Sequence, residues 1–175
     1  MEVSGGRYPS TIAVSPALYV AHWVQADKVS AFRSVNVGLK MQKGHCLCGS
    51  VQYEFDETQI AMGLHCHCKD CQRVTGSGKA TVIMFPQDAV KIEGEYKTYA
   101  SVGFEGSHVN RGFCPTCGSQ MFTFVDELPG QMFIKAGGME DTSWLSVDTT
   151  CWTSTARDWL PPDSNTATFD RNPGK

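Results

Sequence analysis

Eight cysteines constrain this chain of 175 residues more than any other feature, because seven of them lie between positions 46 and 117 and arrive in groups. The groups are Cys46-Leu47-Cys48, Cys66-His67-Cys68-Lys69-Asp70-Cys71 and Cys114-Pro115-Thr116-Cys117, with Cys151 standing apart. Three uses compete for them. Core cysteines act as lone small hydrophobes and have no reason to pair at such spacings. A disulfide framework needs an oxidising compartment, and the N-terminus lacks the ordered basic, apolar and small-residue regions of a secretory signal. Metal ligation accounts for the spacing best, since two thiolates on one tight turn supply half of a zinc tetrahedron.

Cys46, Cys48, Cys114 and Cys117 make one set. Two such turns brought together close a four-sulfur tetrahedron, with Gly49 and Gly118 allowing the chain to turn sharply after each pair. This is the pattern of a structural zinc, tying the chain near residue 46 to the chain near residue 117 and contributing folding energy. Cys66, Cys68 and Cys71 make the second set. Three thiolates can hold a zinc ion and leave its fourth position open, as catalytic sites do. The alternative is a fourth ligand from His65, His67 or Cys151, which closes this site as well. His67 sits between two ligands and is expected to point away from their metal; His65 is expected to be a neighbour.

Length and composition set the frame around these sites. One domain fits the chain length, and 41% hydrophobic with 19% charged residues suits a globular fold. A net charge of −3 argues against a non-specific grip on nucleic acid, which needs a basic face. No apolar run approaches the roughly 20 residues that span a bilayer. Between the cysteines lie strand-like stretches: Val51–Phe55, Ala80–Phe85, Val109–Phe113, Gln120–Phe124 and Gln131–Lys135. Val90–Glu93 and Tyr96–Tyr99 flank Gly94-Glu95 at hairpin spacing. Only Lys69–Val74 reads as a helical turn. The expectation is mainly antiparallel β structure with few short helices. Trp144, Trp152 and Trp159 are expected to pack in the core or as a lid.

Residues 1–41 read as an N-terminal extension outside the fold; residues 1–40 carry four basic and two acidic side chains and no cysteine. An organelle-targeting role for them is the alternative to a cytoplasmic protein. Residues 42–160 form the zinc domain. Residues 161–175, past Pro161-Pro162, read as a C-terminal tail on the surface or without order.

The run Gly44-His45-Cys46-Leu47-Cys48-Gly49-Ser50-Val51-Gln52-Tyr53 resembles the opening of the glutathione-dependent formaldehyde-activating enzymes, a family shared with the centromere protein V domain. His65 to Arg73, Arg111 to Ser119, Phe133 to Gly137 and Trp152 agree with that family in order, over about residues 42–160. The resemblance implies a zinc-stapled fold of the β-tent type. It implies two zinc ions per chain, one structural on Cys46, Cys48, Cys114 and Cys117 and one on Cys66, Cys68 and Cys71 where catalysis is proposed. It implies a carbon–sulfur lyase that joins a small-molecule thiol such as glutathione to a small aldehyde, formaldehyde in the named activity. Some members act at chromosomes and microtubules, so a non-catalytic zinc-stabilised protein-binding module is the alternative. Thr150-Cys151 departs from the family pattern, which has a histidine and an apolar residue there.

Three thiolates on Zn²⁺ carry a net negative charge, and Lys69, Arg73 and Arg111 are the cations near enough in sequence to offset it. Arg111 reads first as a hydrogen-bonding fold residue. Asp70 and His67 are candidate proton shuttles.

Overall fold

A computed structural model describes residues 40–173. The strands are β1 (Met41–His45), β2 (Gln52–Asp56), β3 (Met62–Cys66), β4 (Ala80–Pro86), β5 (Val90–Glu93), β6 (Lys97–Val102), β7 (His108–Phe113), β8 (Gln120–Val125), β9 (Gln131–Lys135), β10 (Thr149–Cys151) and β11 (Ala167–Phe169). One α-helix, α1 (Lys69–Thr75), and four single-turn 3-10 helices join them among the described residues. The mainly β architecture expected from the sequence is present. No described helix is long and apolar enough to cross a membrane. Apart from Lys40 and Met41, which opens β1, the extension read over residues 1–41 lies outside the described residues.

The strands form two sheets. β1, β2 and β5 make a three-stranded antiparallel sheet, and the other eight run in the order β11-β10-β3-β4-β9-β8-β7-β6. Strand β4 shows how the pleat divides the interior, because successive side chains point to opposite faces. Ile83 and Phe85 turn toward the small sheet and meet Val51, Tyr53, Phe55, Phe122 and Met132. Ala80, Val82 and Met84 turn the other way and meet Leu64, Leu128, Phe133 and Trp152. Burial on both faces explains why β4 reads as an almost continuous apolar run rather than an alternating one. The core between the sheets is aromatic, with Phe55 and Phe85 at 4.4 Å and Tyr53 edge-on to Phe122 at 5.6 Å.

Three expectations are corrected. Val90–Glu93 and Tyr96–Tyr99 are not a hairpin, since β5 pairs with β2 and β6 pairs with β7 in the other sheet. Gly94 is the joint between the sheets: its φ is +92, and a Cβ there would stand 2.1 Å from the Ser50 carbonyl oxygen. The sheet is not wholly antiparallel, because β10 runs parallel to both β3 and β11. The long connections before and after β10 permit this, as parallel pairing needs a crossover of a dozen or more residues. The segment past Pro161-Pro162 is not merely a tail, because its Ala167–Phe169 is the edge strand β11. Asp163 ion-pairs with Lys79 and lies 3.2 Å from His65 Nε2, which fastens this segment to the sheet. Of the three tryptophans expected in the core or as a lid, Trp152 is buried, Trp144 packs against the core, and Trp159 lies on the surface, 69% exposed.

Candidate metal centres and the adjoining pocket

Cys46 and Cys48 leave the end of β1 and Cys114 and Cys117 leave the end of β7, so the first set bridges the two sheets. The four sulfurs lie within 4.8 Å of one another. Cys46 to Cys48 is 3.5 Å and Cys48 to Cys114 is 3.7 Å. Sulfurs at about 2.3 Å from one tetrahedral centre stand about 3.8 Å apart, so the donor set and its spacing fit zinc. The two turns are near copies. Gly49 and Gly118 both have φ of +76, a left-handed conformation that suits glycine. Each turn is closed by a backbone hydrogen bond, Cys46 N–H to Val51 O and Cys114 N–H to Ser119 O, both 2.9 Å.

The sulfurs are held as metal ligands should be. The Val51 N–H donates to Cys46 Sγ at 3.3 Å, and the Ser50 and Ser119 hydroxyls lie 3.2 Å from Cys48 Sγ and Cys117 Sγ. The Ser119 hydroxyl and N–H hold the Cys117 thiol down at about 5. At Cys46 burial raises the thiol, but the Val51 N–H and the neighbouring sulfurs outweigh it and the net shift is downward.

Cys66, Cys68 and Cys71 sit on the opposite face of the large sheet. Cys66 ends β3, Cys68 caps α1 and Cys71 lies in its first turn. The Cys71 N–H donates to Cys68 Sγ at 3.3 Å, so the cap that starts the helix also orders the ligands. All three sulfurs lie within 4.8 Å of one another. Such thiols cannot all ionise without a cation between them. For Cys71, the neighbouring Cys66 leads in pushing the thiol up to about 12. At Cys68 the interaction with Cys66 lowers the thiol, but Cys71 and burial outweigh it and leave it at about 12. Cys66 is raised too, first by Cys151 beside it.

The fourth-ligand candidates fall outside this cluster. His65 Nδ1 lies 2.9 Å from Thr81 Oγ1, and its Nε2 faces Asp163. His67 is fully buried with neither ring nitrogen hydrogen-bonded, and it does not line the pocket described below. That removes it as a proton shuttle. Its backbone is what matters: the His67 carbonyl accepts from Gln72 Nε2 at 2.6 Å and from the Thr155 hydroxyl at 2.9 Å. Cys151 stands opposite Cys66 in the parallel register but is not one of the three mutually close sulfurs. Thr150 meets the Thr166 hydroxyl at 2.7 Å and does not line the pocket.

Cys66, Cys68, Cys71 and Cys151 line one side of a pocket of about 160 Å³. Leu64, Val82, Val125, Leu128, Phe133 and Trp152 give it apolar walls. Its charged groups are Asp70, Glu105, Arg111 and Lys135. Arg111 is buried, hydrogen-bonds Ser101, and reaches Asp70 Oδ2 at 3.4 Å. Of the cations expected near the triplet, Arg111 is the one at the pocket. Lys69 instead reaches the Thr155 carbonyl, and Arg73 is exposed beside Asp70. Lys135 was not expected there. It closes β9, makes no ion pair among the described residues, and its charge favours ionisation of Cys71. Its signal in the sequence was its place in the Phe133–Gly137 stretch. Trp152 has φ of +63, unlike any other described non-glycine residue. A left-handed tryptophan costs energy, of order 1–3 kcal/mol, and such strain gathers at functional sites. A hydrogen bond from Trp152 Nε1 to Asn172 Oδ1 at 2.8 Å helps hold it.

The family model of the glutathione-dependent formaldehyde-activating enzymes matches residues 41–155. The chain belongs to that family. The matched span contains both cysteine sets, Arg111, Lys135 and Trp152, and ends before β11. No curated protein matches the chain. Among solved structures, a crystal structure of a Rhodobacter sphaeroides protein is similar, with 21% identity and a TM-score of 0.47, over 60% of this chain and 96% of that one.

Proposed function

We propose that this protein is a zinc-dependent enzyme of the carbon–sulfur lyase type, joining a glutathione-type thiol to an aldehyde and running the reverse cleavage. The observation that carries this reading is the placement of the three-cysteine cluster on a pocket that also holds Asp70, Arg111 and Lys135. Zinc on Cys66, Cys68 and Cys71 would supply positive charge that favours the ionised form of a substrate thiol. Cys46, Cys48, Cys114 and Cys117 would hold a second zinc whose role is to join the sheets.

In the forward direction one S–C bond forms, the carbonyl π bond opens, and the thiol proton ends on the new hydroxyl. Lys135 and Arg111 are the pocket's cations, placed to stabilise negative charge on the carbonyl oxygen as it develops. Asp70, oriented by Arg111, is the residue to carry the proton between sulfur and oxygen. The apolar walls reduce competing water and hold the two reactants together. A compartment that keeps thiols reduced, such as the cytoplasm, suits these ligands.

The test is metal stoichiometry joined to chemistry. The purified protein is expected to carry two zinc ions and to accelerate thiohemiacetal formation between glutathione and an aldehyde, followed by NMR exchange. Cys68→Ser is expected to retain one zinc and its circular dichroism while losing the acceleration. A folded Cys68→Ser protein with undiminished activity would refute the assignment.

A further inference from the structure

We infer that the pocket beside the cysteine triplet binds an apolar, ring-sized group of the substrate, so that the aldehyde partner is aromatic or branched rather than a one-carbon compound. The inference rests on the proposed thiol–aldehyde chemistry and deepens it.

Size is the first argument. A cavity of about 150 Å³ walled by leucine, isoleucine and phenylalanine takes up benzene. This pocket is of the same size, about 160 Å³, and the part of it formed by Leu64, Val82, Val125, Leu128, Phe133 and Trp152 is of the same kind. Formaldehyde has one carbon and would leave most of that apolar surface in contact with water. Filling it instead removes apolar area from water at about 25 cal/mol per Å². The tripeptide thiol is the poorer occupant. Two carboxylates cannot enter apolar surroundings without paired cations; Arg111 is already paired to Asp70, which leaves Lys135 as the one unpaired cation of the pocket among the described residues.

Shape is the second argument. Val109 of β7 and Val125 of β8 are cross-strand partners, and both line the pocket. At the mouth, Phe104 is 69% exposed yet sits edge-on to Trp152, with ring centroids 5.6 Å apart. A tight loop carries it, with Gly103 N–H donating to Ser107 O at 2.7 Å. An exposed phenylalanine set edge-on to a buried, strained tryptophan gives an incoming ring two aromatic surfaces to meet. The charged groups, Lys135, Glu105 and the Asp70–Arg111 pair, stand among apolar walls, which suits a molecule with one carbonyl on an apolar body. With benzaldehyde and a thiol RSH the product is RS–CH(OH)–phenyl. One S–C bond forms and the thiol proton moves to the oxygen, with no oxidant or reductant consumed.

Two measurements on the zinc-loaded full chain test this. Fluorobenzene, an unreactive probe, is titrated by ¹⁹F NMR into wild type, Val109→Phe and Val125→Phe; the two variants fill the pocket from adjacent strands, and circular dichroism reports which are folded. Turnover with glutathione is then compared for benzaldehyde and formaldehyde. The inference expects saturable fluorobenzene binding that weakens at least about tenfold in a folded variant. It also expects kcat/KM to favour benzaldehyde by more than about tenfold, with a smaller ratio in the variant. Absence of saturable binding overturns it, as does binding that both folded variants leave unchanged. Equal or better use of formaldehyde overturns it while leaving the proposed reaction standing. Fluorobenzene binding with neither aldehyde consumed refutes the proposed reaction, and the substrate inference with it.

Discussion

Lys135 and Arg111 meet at the pocket from different histories. Arg111 is fixed by Ser101 and Asp70 and is buried, whereas Lys135 closes a strand without an ion pair among the described residues. Both line the pocket, and the unpaired ammonium has the more charge to give a reacting oxygen. Lys135→Met is therefore expected to lower kcat by at least roughly tenfold with little change in thermal stability; an unaltered kcat would remove Lys135 from the proposed chemistry. Sequence reasoning grouped the seven cysteines correctly at this scale, because thiol spacing within a turn is a local property. It names Lys69, Arg73 and Arg111 as the nearby cations, of which Arg111 lines the pocket. Lys69 and Arg73 are close to the triplet along the chain, but helix α1 directs them to Thr155 and to the surface. His67 lies away from the triplet as its place between two ligands suggests, buried with no hydrogen-bond partner for its ring among the described residues, and it does not line the pocket.

Between elements, two junctions decide whether the sheets assemble. Gly94 lets β5 leave one sheet and β6 enter the other while its backbone touches Ser50. Gly94→Ala places a Cβ against that carbonyl at a left-handed φ. It is expected to destabilise the protein by about 1–3 kcal/mol in chemical denaturation; a loss below about 0.5 kcal/mol would contradict the close packing described. The second junction is Asp163, which fastens the β11 segment through Lys79 and His65. The hydrogen bond from Lys79 holds the Asp163 carboxyl below the usual carboxylate range. A depressed folded pKa stabilises above the unfolded value of about 3.9 and is lost as the pH falls through the folded value. The pair is partly exposed, so its worth is at most about 1 kcal/mol. Asp163→Asn is expected to speed amide exchange in β11 up to about fivefold at pH 7, and the gap from wild type to narrow as acid protonates the wild-type carboxyl. Equal exchange rates at pH 7 would show that the segment is held by its strand pairing alone.

Across the whole molecule, the large sheet separates two tasks. The face toward the small sheet carries the aromatic core and the four-cysteine set, while the other carries the triplet and the pocket. Chelation is expected to proceed in two stages. Metal on the triplet, which faces the pocket, should leave first with the fold retained. Metal on the four-cysteine set should leave later, together with near-ultraviolet dichroism, because it joins the sheets. Simultaneous loss of both metals and the fold would refute this division. The amino-acid order alone determined the thiol groupings, the mainly β character and the family pattern, since each rests on spacing between near neighbours. It did not determine which sheet β5 joins, that β10 runs parallel, or that Ala167–Phe169 completes the sheet. Nor did it bring Lys135, Phe104 and Trp152 around one pocket. Those outcomes depend on pairings between distant segments, and only the burial of two apolar faces on one sheet selects them.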